Sequence, residues 1–153
     1  MRILILFLMW VPCLCLSQMK TGSFSELETI QNKKPVIIHV YTDWCGICKI
    51  EKHAIEKDKE LVKMINENFY VIQFEAEKTK NTIHFQGKDF YYLANGNSGI
   101  HELALTLSQH KNQPVYPLWI FLDKDHQLLY YHEGIFKPEK MKQKLMEISA
   151  SNQ

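Results

Sequence analysis

The most constraining feature of this chain is a junction. An unbroken run, Val36-Ile37-Ile38-His39-Val40-Tyr41, leads within a few residues into Trp44-Cys45-Gly46-Ile47-Cys48, and then into Lys49-Ile50-Glu51-Lys52-His53-Ala54-Ile55-Glu56. The run is short, bulky and nearly all apolar, as expected for a central parallel strand covered on both faces. Period-two alternation sets Ile37, His39 and Tyr41 on one face and Val36, Ile38 and Val40 on the other. The segment after the cysteines reads as a helix. Two thiols separated by two residues can close a disulfide with little backbone movement, and can also grip a metal. At a strand-to-helix junction the spacing is a redox signature.

The first residues belong to a different kind of segment. Arg2 precedes an apolar stretch from Ile3 to Leu16, broken only by Pro12, and Ser17-Gln18 opens the polar part. A charged start, a short apolar stretch and small residues at Cys15 and Ser17 form a secretory signal, expected to span residues 1–17. The stretch falls short of the ~20 residues of a comfortable bilayer span. A membrane anchor formed by this segment is the lesser alternative, and lipidation at Cys13 or Cys15 lacks the usual preceding small residue. Residues 18–153 are then one domain, with mass enough for a core.

Loss of the leader removes Arg2 and no acid, so basic and acidic residues balance, and no Lys/Arg cluster calls for nucleic acid. It also removes two of the four cysteines, leaving Cys45 and Cys48. One closely spaced pair closes too short a loop to constrain much of the unfolded chain. The pair is there for chemistry.

In chain order, Ser23-Phe24-Ser25-Glu26 carries capping serines and a first-turn acid, and predicts a helix to about Asn32, ended by Lys33-Lys34-Pro35. The helix after the cysteines is expected to break near Lys57-Asp58 and resume at Leu61, with Lys52, Glu56, Lys59 and Glu60 on a solvated face. Phe69 to Glu75 reads as a strand. Ile83-His84-Phe85 and the segment from Phe90 to Leu93 flank Gln86-Gly87-Lys88-Asp89, predicting a hairpin, and 94–99 is a loop by composition. Ile100, Leu103, Ala104 and Leu107 form the inward stripe of a short helix. Leu118–Leu122 and Gln127–His132 are strands paired across the turn at 123–126, Gly134 ends the second, and Pro138 opens a closing helix through Met141, Leu145 and Ile148.

That order, with the Trp44-Cys45-Gly46-Ile47-Cys48 junction and the segment Val115-Tyr116-Pro117-Leu118-Trp119, resembles the thioredoxin superfamily, and most of all secreted bacterial thioredoxin-like proteins. The resemblance covers Ser23 to Ile148. It implies an α/β thioredoxin-like fold: a central mixed β-sheet flanked by helices, with a hairpin and loop inserted before the cis-proline segment. It also implies an exported thiol–disulfide oxidoreductase, needing no cofactor, that acts on disulfide-containing or thiol proteins as a monomer. Such an enzyme stays reduced outside the cytoplasm only if fed electrons, so a membrane thiol-electron donor is a further expected partner.

By the same resemblance Pro117 is the cis-proline facing the pair, and Tyr116 offers its backbone to an extended substrate. Cys45 sits at the helix N-terminus, where the dipole favours a thiolate, and is expected to be the more exposed cysteine and the nucleophile. Cys48 resolves the mixed disulfide and restores the Cys45–Cys48 bond. Trp44 is expected to wall the substrate surface. Gly46-Ile47 sets the poise: an apolar Ile47, where strong oxidants of the superfamily carry histidine, predicts a potential nearer ~−270 mV than ~−120 mV. His39 stands where the family has a buried aspartate beneath the second cysteine, and Gln73 replaces that aspartate's lysine, so the carboxylate role cannot be carried over. A neutral imidazole can still accept a proton; the alternative is a buried strand histidine satisfied by a hydrogen bond.

Two rivals remain at this level. Cys45, Cys48 and His53 can supply three metal ligands, but a structural zinc site wants four and no second pair exists. Covalent haem attachment needs histidine where Lys49 stands. The second rival is a binding or chaperone-like module using the peptide groove and the aromatic insert of Phe85, Phe90, Tyr91 and Tyr92, with little redox turnover.

Overall fold

The structure, a computed structural model, describes residues 18–29, 34–109 and 113–151. The leader expected at 1–17 lies outside them, as does the expected end of the first helix.

The elements in order are α1 (Phe24–Thr29), β1 (Val36–Tyr41), α2 (Gly46–Lys57), α3 (Lys59–Asn68), β2 (Tyr70–Glu75), β3 (Ile83–Phe85), β4 (Lys88–Phe90), β5 (Tyr92–Asn95), β6 (Ser98–His101), α4 (Glu102–Leu107), β7 (Leu118–Leu122), β8 (Leu128–Glu133) and α5 (Pro138–Ser151). Four strands form one sheet in the order β2-β1-β7-β8. β1 runs parallel to β2 and antiparallel to β7, which pairs antiparallel with β8. The sheet is therefore mixed, with β1 inside it, and both faces of β1 are covered.

The alternation read from the sequence divides the core. Val36, Ile38 and Val40 join Phe24 and Leu27 of α1, Leu103 and Ala104 of α4, and Ile83, Phe85 and Phe90 of the insert. Ile37 packs on the opposite face with Ile55 of α2, Leu61, Val62 and Ile65 of α3, and Met141, Leu145 and Ile148 of α5. Two helical layers thus clamp the sheet, and burial of this apolar surface is the main stabilising term.

Asp58 explains the break between α2 and α3. Its backbone N–H donates to Ile55 O as the cap of α2, while its carboxylate accepts from Leu61 N–H as the N-cap of α3 (3.0 Å).

The insert differs from expectation in two respects. Lys88 and Asp89, expected in the turn, belong to β4. Gln86 and Gly87 both take positive φ in the β3–β4 turn, as a two-residue hairpin of this twist requires. The segment 94–99, expected to be a loop, instead forms most of a second hairpin, β5–β6, turning at Gly96 with φ +58°. Its polar residues hid a strand pair because neither strand contributes much to the core. Ile100 consequently belongs to β6, and α4 starts only at Glu102, capped by the His101 ring, which accepts from Leu103 N–H. Phe85 and Phe90 cover the core and are no part of an open aromatic surface, whereas Tyr91 is exposed.

Candidate functional site

The strand-to-helix junction builds the site. After β1 the chain turns so that Cys45 N–H donates to Thr42 O (3.1 Å), and Lys49 N–H donates to Cys45 O as α2 begins. Cys45 is the N-cap of α2. Its Sγ accepts the Cys48 backbone N–H at 3.1 Å, one of the orphan donors of a helix start. The same N–H and the dipole behind it would stabilise a thiolate there. The two sulfurs are bonded (S–S 1.97 Å).

Both cysteines are sheltered, Cys45 at 5% exposure and Cys48 at 3%. Exposure, expected to separate them, hardly does; their positions on α2 separate them instead. Ile47 is exposed, and a side chain at Gly46 would meet nothing within 4 Å, so the two residues between the cysteines face open space.

Trp44 is 68% exposed and held at one edge. Its Nε1–H donates to Glu77 Oε2 (2.8 Å), and its ring meets Tyr116 edge-on at 6.3 Å. Glu75 ties this loop to the end of β2, accepting from Asp43 N–H and Glu77 N–H. The Tyr116–Pro117 peptide is cis. The Tyr116 hydroxyl is buried without a hydrogen-bond partner among the described residues, and burial, then the charges of Glu77 and Glu75, push its pKa upward.

Beneath the pair the sequence had offered only His39. It is buried, pairs in register with Gln73 of β2 and Trp119 of β7, and stacks on the Trp119 ring (centroids 4.0 Å apart). Among the described residues neither ring nitrogen has a hydrogen-bond partner, so no protein group supplies the one hydrogen bond of the alternative reading. Burial, then the Lys52 charge, lowers its pKa to about 3; the imidazole is neutral at physiological pH.

The residue that sequence reasoning missed is Glu51, absorbed into the charged run of α2. Its side chain is fully buried. Oε2 accepts from Trp119 Nε1–H (3.0 Å) and Oε1 from Phe136 N–H (2.5 Å). Burial raises its pKa to about 7 against the opposing pull of those two hydrogen bonds. Its Oε2 lies 3.7 Å from His39 Nε2. That separation is within ion-pair range, but it is too long for a hydrogen bond, and desolvation favours the neutral form of both partners. Glu51 therefore passes between carboxylic acid and carboxylate near neutral pH, beside an imidazole that stays neutral. The overlooked signal was periodicity: Cys48, Glu51 and Ile55 form the buried stripe of α2.

His53, the third ligand of the metal alternative, is exposed on α2, and among the described residues no group of three or more His, Cys, Asp or Glu is placed to hold a metal ion. No helix among them is long and apolar enough to cross a membrane.

Comparison with known proteins bears on this arrangement. The family described as "Thioredoxin-like domain" matches residues 26–149. No curated protein matches the chain. Among solved structures, a thioredoxin from Thermus thermophilus superposes with a TM-score of 0.59 at 11% identity, over 88% of this chain and 90% of its own. An oxidoreductase named DsbH gives 0.55 at 16% identity, over 95% and 92%. The exposed lipoprotein thioredoxin Etrx1 of Streptococcus pneumoniae gives 0.51 at 20% identity, over 79% and 89%.

Proposed function

The chain belongs to the thioredoxin-like domain family and is a thiol–disulfide oxidoreductase; on that premise we propose that it is exported and reduces or isomerises disulfides of envelope proteins through a Cys45/Cys48 cycle. The observation that carries the reading is the Cys45 sulfur at the N-cap of α2, bonded to Cys48 and accepting its backbone N–H.

In the reductive direction the Cys45 thiolate attacks a substrate disulfide, forming a mixed disulfide and expelling one substrate thiolate. Cys48 then attacks Cys45 Sγ, the Cys45–Cys48 bond forms, and the second substrate thiolate leaves. Two electrons pass to the substrate, and each departing thiolate takes up one proton. Trp44, Ile47 and the Tyr116–Pro117 segment form the surface the substrate meets, and the open space beside Gly46 leaves that surface approachable.

The apolar leader at 1–17 supports export, with residues 18–153 as the working domain in the periplasm and an electron-donating membrane thiol protein as the partner that keeps the pair reduced. The apolar Ile47, which brings no cation to the thiolate, supports a reducing poise. Retention of disulfide-exchange products by Cys48→Ala, and their absence with Cys45→Ala, tests the assignment. Full function of Cys45→Ala would instead favour the binding module.

A further inference from the structure

A dithiol cycle moves protons as well as electrons, and the resolving thiol must lose its proton before it can attack. Cys48 is buried, but it borders a cavity of about 240 Å³ shared with His39, Thr42, Lys52 and Gln73. Both His39 ring nitrogens and the Thr42 hydroxyl are buried there without hydrogen-bond partners among the described residues. A space this large, lined by unsatisfied polar groups, accommodates several water molecules at roughly 30 Å³ each. Behind His39 lies Glu51, one helical turn beyond Cys48 on the same face of α2.

Other charges near this pair are few. Lys52 of α2 acts on His39, and Lys49, Asp43 and Tyr41 border the cavity. β7 contributes the neutral Trp119, and His132 of β8 stacks on the Phe136 ring at 4.2 Å. Among the described residues, Glu51 is the one buried carboxylate.

We propose that Glu51 is the proton store of the cycle, taking the proton that Cys48 gives up when it resolves a mixed disulfide, by way of cavity water and His39. The proposal rests on the redox reading above. In the step, the Cys48 S–H bond breaks and its proton passes through cavity water to one imidazole nitrogen, while the other nitrogen gives a proton to Glu51 as the two side chains close from 3.7 Å to hydrogen-bond distance. The carboxylate becomes a carboxylic acid, and the Cys48 thiolate displaces the substrate sulfur from Cys45. The departing thiolate is protonated from solvent, and Glu51 returns its proton through the same route before the next turnover. Glu51 does not touch the reacting sulfurs; it is a positioning residue for the proton, acting through a neutral His39. The strand that holds the family's aspartate holds the imidazole here, and the carboxylate comes from the helix.

The test follows the Glu51 side-chain carboxyl by carbon NMR from pH 4 to 9 in the disulfide and dithiol forms, together with decay of a Cys45 mixed disulfide made with a small aromatic thiol. The wild-type carboxyl should titrate near 7 in the disulfide form and at a different pH in the dithiol form, because the two sites exchange a proton. Glu51→Gln should slow decay of the mixed disulfide at least tenfold near neutral pH and remove the inflection from its pH profile. Glu51→Asp should restore that inflection in part. A carboxyl titrating alike in both forms, or an unchanged pH profile in Glu51→Gln, overturns the proposal while leaving the redox reading intact. A wild-type pair that forms no mixed disulfide overturns both, and the NMR titration decides the matter even if Glu51→Gln fails to fold.

Discussion

Folding moves a proton from His39 to Glu51, and the balance between them can be uncovered by removing either one. In the unfolded chain a histidine titrates near 6.5 and a glutamate near 4.5; in the folded disulfide form His39 falls to about 3 and Glu51 rises to about 7. The raised glutamate contributes stability that is complete below 4.5 and lost as pH climbs toward 7. The lowered histidine contributes stability that is complete above 6.5 and lost as pH falls toward 3. Between pH 4.5 and 6.5 the two slopes oppose each other, each at about 1.4 kcal/mol per pH unit. The wild-type pair binds the same number of protons folded and unfolded, and contributes a flat line.

His39→Gln leaves the glutamate slope alone. That variant should lose about 2–3 kcal/mol between pH 4.5 and 6.5 relative to wild type, and Glu51→Gln should gain about as much. The new amide of Glu51→Gln must turn its NH₂ toward Trp119 Nε1–H or Phe136 N–H, costing about 1–3 kcal/mol. That penalty does not depend on pH and cancels in the comparison. Urea unfolding of the oxidised proteins at the two pH values, followed by tryptophan fluorescence, measures the differences. If both variants track wild type between the two pH values, the buried proton-sharing pair does not exist.

Other consequences are simpler to read. Cys45→Ala should abolish reduction of a model protein disulfide, while Cys48→Ala should accumulate a mixed disulfide visible by intact mass. Ile47→His places a cation-capable ring beside the thiolate and should raise the reduction potential by tens of millivolts, about 20 mV for each kcal/mol of thiolate stabilisation, as measured against glutathione buffers. Asp58→Ala removes the cap between α2 and α3 and should cost about 1 kcal/mol in urea unfolding while leaving disulfide exchange intact.

The sheet was legible because its strands carry the strongest patterns in the chain. The run Val36–Tyr41 announced its coverage on both faces, and its alternation assigned side chains to the two layers that the structure shows. The α2–α3 break was legible from Asp58, whose side chain can cap only one helix start. The β5–β6 hairpin was not, because its residues are largely exposed and polar and its strands pair with each other apart from the main sheet. At the site, spacing alone marked Cys45 and Cys48. Glu51 went unread for the opposite reason: a charged residue in a charged run looks solvated, and only the docking of α2 against Trp119 and Phe136 buries it. Charge composition averages over a helix, whereas burial selects one face.

The measurement closest to the central claim is equilibration of the purified domain with dithiothreitol and glutathione buffers of graded potential, counting free thiols by alkylation and mass. A single reversible two-electron transition nearer ~−270 mV than ~−120 mV, absent from Cys45→Ala, is the predicted result. A pair that shows no reversible transition contradicts the dithiol cycle, and a midpoint at the oxidising end contradicts the reducing role.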